Sequence, residues 1–90
     1  MPQITTTITH GVGLHARPAA LFVQTAKRYA ATITVRNGER QANAKSMLQV
    51  LTLAAKQGTV LTIQAEGDDA DQALQALQHL IEANFHEEAS

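Results

Sequence analysis

The strands of this 90-residue chain carry apolar side chains at every second position, with threonine filling many of the places between. Ile4, Thr6 and Ile8 alternate with Thr5, Thr7 and Thr9, a period of two with β-branched residues on both sides, as expected of a strand with one wet face. Ile33 and Val35 point inward within a strand from Thr32 to Arg36, and Leu61 and Ile63 do so within Thr59 to Ala65. Glu39 to Ala44 supplies the remaining strand. A sheet that is apolar on one side and rich in Thr on the other offers a single surface for packing, so every helix has to lie on the same face.

Between the strands the period changes. Gly11-Val12-Gly13 loosens the backbone, after which Ala19, Phe22, Val23, Ala26 and Ala30 recur at helical spacing and predict a helix from about Ala16 to Arg28. Pro18 belongs in its first turn, where a missing N–H costs little. Asn37-Gly38 suits a two-residue hairpin turn. Ser46 stands as N-cap before the apolar run Met47 to Ala55, which Gly58 stops, giving a short helix. Gly67-Asp68-Asp69 turns the chain, Asp69 with Gln72 matches a capping pair, and Ala70, Ala73, Leu74, Leu77, Leu80 and Ile81 mark the last helix. The order β-α-β-β-α-β-α predicts an α+β open-faced β-sandwich: a four-stranded antiparallel sheet with three helices on one face, folded as one domain over residues 1–90, with a C-terminus frayed from about residue 86. The length leaves no apolar residues for a second core.

Composition narrows the function classes. There is no cysteine, which excludes a disulfide framework, a thiolate metal site and a thiol nucleophile, and is compatible with a reducing cytosol. No run approaches the roughly 18 apolar residues of a membrane span, so a cytoplasmic location without membrane insertion is expected. The net charge of −1 fits neither a nucleic-acid coat nor an acidic disordered tail. It is unevenly divided. Residues 1–45 hold Arg17, Lys27, Arg28, Arg36, Arg40 and Lys45 against Glu39, a net of +5, while residues 46–90 hold Lys56 against seven acids, a net of −6. Gathered on one surface, the basic residues would steer an acidic or phosphorylated partner; spread, they are ordinary solvated faces.

The informative segment is Gly11-Val12-Gly13-Leu14-His15-Ala16-Arg17-Pro18-Ala19. It sets an imidazole at or next to the start of a helix. The positive helix end disfavours imidazolium and keeps His15 neutral and nucleophilic near pH 7, while backbone N–H groups at Ala16 and Arg17 can bind an anion held on the ring. Arg17 adds a planar cation suited to phosphate oxygens. A neutral histidine beside an oxyanion site is what reversible phosphoryl capture needs, with positioning and charge stabilisation supplying the catalysis. Taken singly, His15 and Arg17 would pass for a surface histidine and a solvated first-turn residue.

The contiguous string Gly13-Leu14-His15-Ala16-Arg17-Pro18-Ala19 resembles the active-site signature of HPr, the histidine-containing phosphocarrier family of the bacterial sugar phosphotransferase system. The resemblance extends over nearly the whole chain, through Asn37-Gly38, Ala44-Lys45-Ser46, Gln57-Gly58-Thr59 and Ala65-Glu66-Gly67. It implies that His15 is the phosphoacceptor, through Nδ1, and that Arg17 helps hold and release the group. Phosphate would arrive from phosphohistidine on enzyme I and leave to sugar-specific enzyme II components. The chain would act as a monomeric stoichiometric carrier without a cofactor, and not as an enzyme in its own right. Val12 departs from the family pattern, standing where many members carry Asn, Ser or Thr, so phosphate contacts from that loop would have to come from backbone. His10 reads as an exposed loop histidine.

Ser46 has two readings. A phosphate on an N-cap serine sits at the favourable end of a helix dipole and adds about −2 of charge without unfolding the domain. The resemblance matches Ser46 to the site used by HPr kinase/phosphorylase, whose product also binds a catabolite regulator; the other reading is a plain N-cap. The short helix carries more apolar surface than its core face needs. With Val50, Leu53 and Ala54 inward, Met47, Leu48 and Leu51 form a second stripe that reads as a docking surface, or else as a second buried side, and the resemblance favours docking, with Ala20 of the first helix joining the patch.

Other chemistries fit less well. Gly11-Val12-Gly13-Leu14-His15-Ala16 formally matches a dinucleotide-binding fingerprint, but the chain is too short for successive βαβ units and no acid lies about 20 residues on. Asp68, Asp69 and Asp71 lack the later ligands of a calcium loop, and the four histidines show no metal-ligand spacing, so no metal is expected. Phe22, Tyr29 and Phe85 are too few to stack bases, so no nucleic-acid partner is expected. The rival of a different class is an HPr-like regulatory adaptor, for catabolite or nitrogen-branch signalling, that acts by phosphorylation-dependent binding.

Overall fold

Seven elements follow in chain order in the computed structural model: β1 (Gln3–Thr7), α1 (Ala16–Ala26), β2 (Thr32–Asn37), β3 (Arg40–Asn43), α2 (Met47–Thr52), β4 (Val60–Glu66) and α3 (Ala70–Glu82). The structure describes residues 2–8, 16–53 and 56–83. The expected fraying near residue 86 and the inward placement of Ala54 fall outside these ranges. The strands form one antiparallel sheet in the order β1-β4-β2-β3.

Register carries the one-sided burial across the sheet. Thr6 pairs with Leu61, Ile63 with Ile4 and Val35, Ala65 with Ile33, and Val35 with Ala42, so the inward positions of all four strands share one face. Nearly all are buried, Ile4 being half-buried, and they pack with Ala19, Phe22 and Val23 of α1, Val50 of α2 and Leu74, Leu77 and Ile81 of α3. The other face presents Gln3, Thr5, Thr7, Thr32, Thr34, Arg36, Gln41, Asn43, Thr62 and Gln64. The open-faced sandwich expected from the alternation is therefore the observed fold.

Four local expectations are corrected. α1 ends at Ala26, two residues early, as Arg28 N–H and Tyr29 N–H donate to Thr25 and Ala26 in tighter turns; Ala30 is exposed, and Ala31 is the residue buried at the entry to β2. The hairpin turn is Gly38-Glu39, because Asn37 is itself paired with Arg40. Gly38 takes the positive φ, 62°, that the turn demands. α2 stops at Thr52 with Leu53 as C-cap, well before Gly58. Finally, Asp69 occupies the N-cap position of α3 but makes no side-chain cap bond.

The Asp69 carboxylate is used elsewhere. It accepts from the backbone N–H groups of Ala30, at 2.8 Å, and Ala31, at 2.9 Å, fastening the start of α3 to the turn between α1 and β2. Gly67 lets the two segments meet: its φ is 142°, and a Cβ there would stand 3.0 Å from Ala31 Cα. Lys45 closes the same turn from another side, its Nζ donating to Tyr29 O at 2.7 Å. The Ala30 N–H holds the Asp69 carboxyl below its usual range, opposed by burial and aided by the Ala31 N–H and the Lys45 charge. A lowered folded-state value means that this contribution to stability is complete above the unfolded carboxylate value and is lost as pH falls through the folded one. Urea midpoints measured at successive pH values should fall as the medium is acidified below about pH 4, and Asp69→Asn should be less stable at neutral pH with a shallower acid loss. An unchanged acid profile in the variant would contradict this role.

Candidate functional site

The helix behind the predicted phosphoacceptor begins at Ala16, so His15 is the residue immediately before it; His15 itself, with His10 and Val12, lies outside the described residues. α1 is eleven residues long and has no acidic residue in its first turn, so no carboxylate on the helix offsets its positive end. The first N–H groups of a helix have no acceptor within it, which is the property that makes such an end receptive to anions. Arg17 is exposed on the first turn, and Pro18, third in the helix, is buried there as its missing N–H allows. Ala20 follows, half-buried.

α1 packs against α2, which brings the second set of predicted residues onto a neighbouring element. Ser46 is the N-cap of α2: its backbone is extended, at φ −112° and ψ 111°, its Oγ accepts from Gln49 N–H at 3.3 Å and its carbonyl from Val50 N–H at 2.9 Å. The preceding chain is set by Asn43, whose side-chain oxygen accepts from Lys45 N–H and whose carbonyl accepts from Ser46 N–H. Gln49 reaches back, its Oε1 accepting from Asn43 N–H at 2.9 Å. Ser46 is only half-buried, so its hydroxyl can be reached from solvent.

Val50 and Leu53 are fully buried, as expected of the inward face of α2. Leu48 is 75% exposed and Leu51 37% exposed, and they are two of the three large exposed apolar side chains among the described residues. Met47 differs from expectation. It is half-buried and packed against the core, so the outward apolar surface of α2 is Leu48 and Leu51, with Met47 at its inner edge.

The basic residues of the first half do not gather as a set. Arg36 stands on the open sheet face, bonded through Nε and Nη2 to Gln41 Oε1, whereas Arg40 reaches the end of α2 and Lys45 is bound to Tyr29 O. A shallow depression on that open face is lined by Thr32, Thr34, Gln64, Ala65 and Glu66, with Glu66 supplying its one carboxylate. Two residues with a bearing on α2 were not marked by sequence reasoning. Asn37 Nδ2 donates to Leu53 O at 2.8 Å and Arg40 Nη1 to Thr52 O at 3.1 Å. Asn37-Gly38 reads as turn chemistry, and no local pattern announces a bond 16 residues away. Replacing the cap, Ser46→Ala, should lower stability by about 1 kcal/mol, seen as a lower urea midpoint; an unshifted midpoint would contradict the cap role of the hydroxyl.

Comparison with known proteins places this arrangement. A family model described as the PTS HPr component phosphorylation site matches residues 2–83. The chain is similar to the phosphocarrier protein HPr of Mycoplasma capricolum, 46% identical over 78 residues that cover 87% of this chain and 88% of the relative. It is equally similar to that of Pseudomonas aeruginosa, 46% identical over 88 residues covering 97% and 98%. Among solved structures it resembles HPr from Thermoanaerobacter tengcongensis, with a TM-score of 0.93 at 46% identity, covering 98% of this chain and 99% of the other.

Proposed function

This chain belongs to the HPr family of phosphocarrier proteins of the phosphotransferase system, and on that premise we propose that His15 is the residue that carries the phosphoryl group. The observation that carries the reading is positional: the histidine of the family signature immediately precedes a helix whose first turn holds Arg17 and no acid. Enzyme I, bearing phosphohistidine, is the donor, and sugar-specific enzyme II components are the acceptors. In the loading step the P–N bond on enzyme I breaks as a P–N bond to His15 forms, the attacking nitrogen being that of a neutral imidazole, and in the unloading step the P–N bond on His15 breaks as the acceptor takes the group. The helix end favours that neutral form, and it also binds the phosphoryl oxygens once they arrive, through the Ala16 and Arg17 N–H groups and the Arg17 guanidinium. The protein is then a stoichiometric carrier, returned unchanged after each cycle, with residues 1–90 acting as one cytoplasmic domain. Ser46 is a regulatory phosphorylation site on the same account, since a phosphate there adds charge at a favourable helix end beside the docking surface. No helix among the described residues is long and apolar enough to cross a membrane.

Incubation with enzyme I, phosphoenolpyruvate and Mg2+ should add one phosphate to the intact mass at neutral pH, lost in mild acid and absent from His15→Ala. No adduct on the wild-type chain, with the same enzyme I active on another carrier, would overturn the assignment and favour a regulatory adaptor.

The docking surface on this reading is Leu48 and Leu51 of α2, with Met47 at its edge and Ala20 on α1. An exposed apolar pair on a helix that packs against α1, whose first turn carries Arg17, suits an interface core with a polar rim. Leu48→Asp, at a position already 75% exposed, should leave thermal stability unchanged and slow transfer from enzyme I through a raised KM. Normal transfer by a normally folded variant would remove Leu48 from the surface.

A further inference from the structure

We infer that Asn37 and Arg40, flanking the hairpin turn, are positioning residues for partner docking: they hold the C-terminal end of α2 and so set the stance of Leu48 and Leu51. The inference rests on the docking role given above to α2. That helix has six residues, far fewer than the roughly 12–15 at which an isolated helix becomes even marginally stable in water, so its shape depends on what surrounds it.

The polar groups of its last turn show where that support comes from. Gln49 O accepts from Thr52 Oγ1 at 2.6 Å, and Val50 O from Leu53 N–H at 3.2 Å, both bonds being internal to the segment. The last two carbonyls of the segment, those of Thr52 and Leu53, are met from outside it. Thr52 O receives Arg40 Nη1 and Leu53 O receives Asn37 Nδ2, both from the β2–β3 hairpin. Unpaired carbonyls at a helix end are normally satisfied by following chain, by water or by side chains, and a cation there also meets the negative end of the helix dipole. Asn37 and Arg40 are directly paired across the ladder, so the two donors sit on one rigid hairpin end. Gly38, at φ 62°, closes the turn just beyond them. At the other end of the helix, Gln49 ties back to Asn43 N–H of β3, the same strand that carries Arg40. The docking helix is therefore gripped at both ends by the hairpin, while Val50 and Leu53 anchor its inner side.

Arg40 is exposed and Asn37 half-buried, so truncating either removes a hydrogen bond without opening the core. The test measures phosphoryl transfer from phosphorylated enzyme I with this protein as varied substrate. Asn37→Ala and Arg40→Ala should each raise KM roughly three- to tenfold, the scale of one lost hydrogen bond, with kcat unchanged and the melting temperature lowered by several degrees at most while unfolding stays cooperative. Arg40→Lys, which keeps a donor and the charge, should recover most of the loss. Amide exchange should quicken in residues 50–53 of both alanine variants and stay unchanged in β1 and β4. Wild-type KM in both alanine variants, alongside a raised KM in Leu48→Asp, would overturn the positioning role and leave the docking reading standing. Wild-type KM in Leu48→Asp as well would overturn the docking reading itself. A raised KM in Arg40→Ala that Arg40→Lys does not recover, with Asn37→Ala behaving as wild type, would mean that the guanidinium meets the partner directly, which also overturns positioning.

Discussion

One-sided burial governs this molecule. With Ile8, Ile33, Val35, Leu61, Ile63 and Ala65 all turned to one face of the sheet and threonine and glutamine on the other, three helices have a single layer in which to lie. Long α1 and α3 fill most of that layer. α2, with six residues, contributes Val50 to the core and leaves Leu48 and Leu51 outside it. The exposed apolar pair is thus a consequence of packing a short helix against a one-layer core. α1 begins at Ala16, and the core fixes that helix through Ala19, Phe22 and Val23.

Turns between elements are held by polar side chains reaching over long stretches of sequence. Asp69 accepts two N–H groups from a turn 38 and 39 residues earlier, Lys45 donates to the same turn, and Gly67 supplies the space for the approach. The hairpin makes a corresponding grip on α2. Each of these bonds replaces water at backbone groups that regular structure leaves unpaired, which is how short elements in a small domain acquire definite positions.

The large-scale fold was legible in the sequence because it depends on periodicity. The inward residues of β1, β2, β4 and α3 follow from alternation at two and at 3.6, and the Ser46 cap from a local pattern of one polar residue before an apolar run. What escaped is tertiary. Asn37 is drawn into the ladder, moving the turn one residue on, where its amide meets Leu53. Asp69 forgoes the cap that its position suggests because two backbone donors approach it from a distant turn. Met47, on the outward side by helical spacing, is drawn against the core by neighbours that spacing alone does not reveal. For the site, the signature around His15 and the Arg17 side chain on the first turn of α1 were readable from order alone, whereas the support of α2 by the hairpin was not.

On the proposed function, a phosphoryl group sits on the His15 ring and is held by the first turn of α1. Long-range 1H–15N correlation spectra, recorded before and after phosphorylation by enzyme I and phosphoenolpyruvate, test it most directly. A phosphorus-coupled Nδ1 on His15 and large shifts of the Ala16 and Arg17 amides are expected, with the β-sheet amides unmoved. A phosphorylated ring at His10, His79 or His86, or a phosphorylated His15 with undisturbed Ala16 and Arg17 amides, would contradict it.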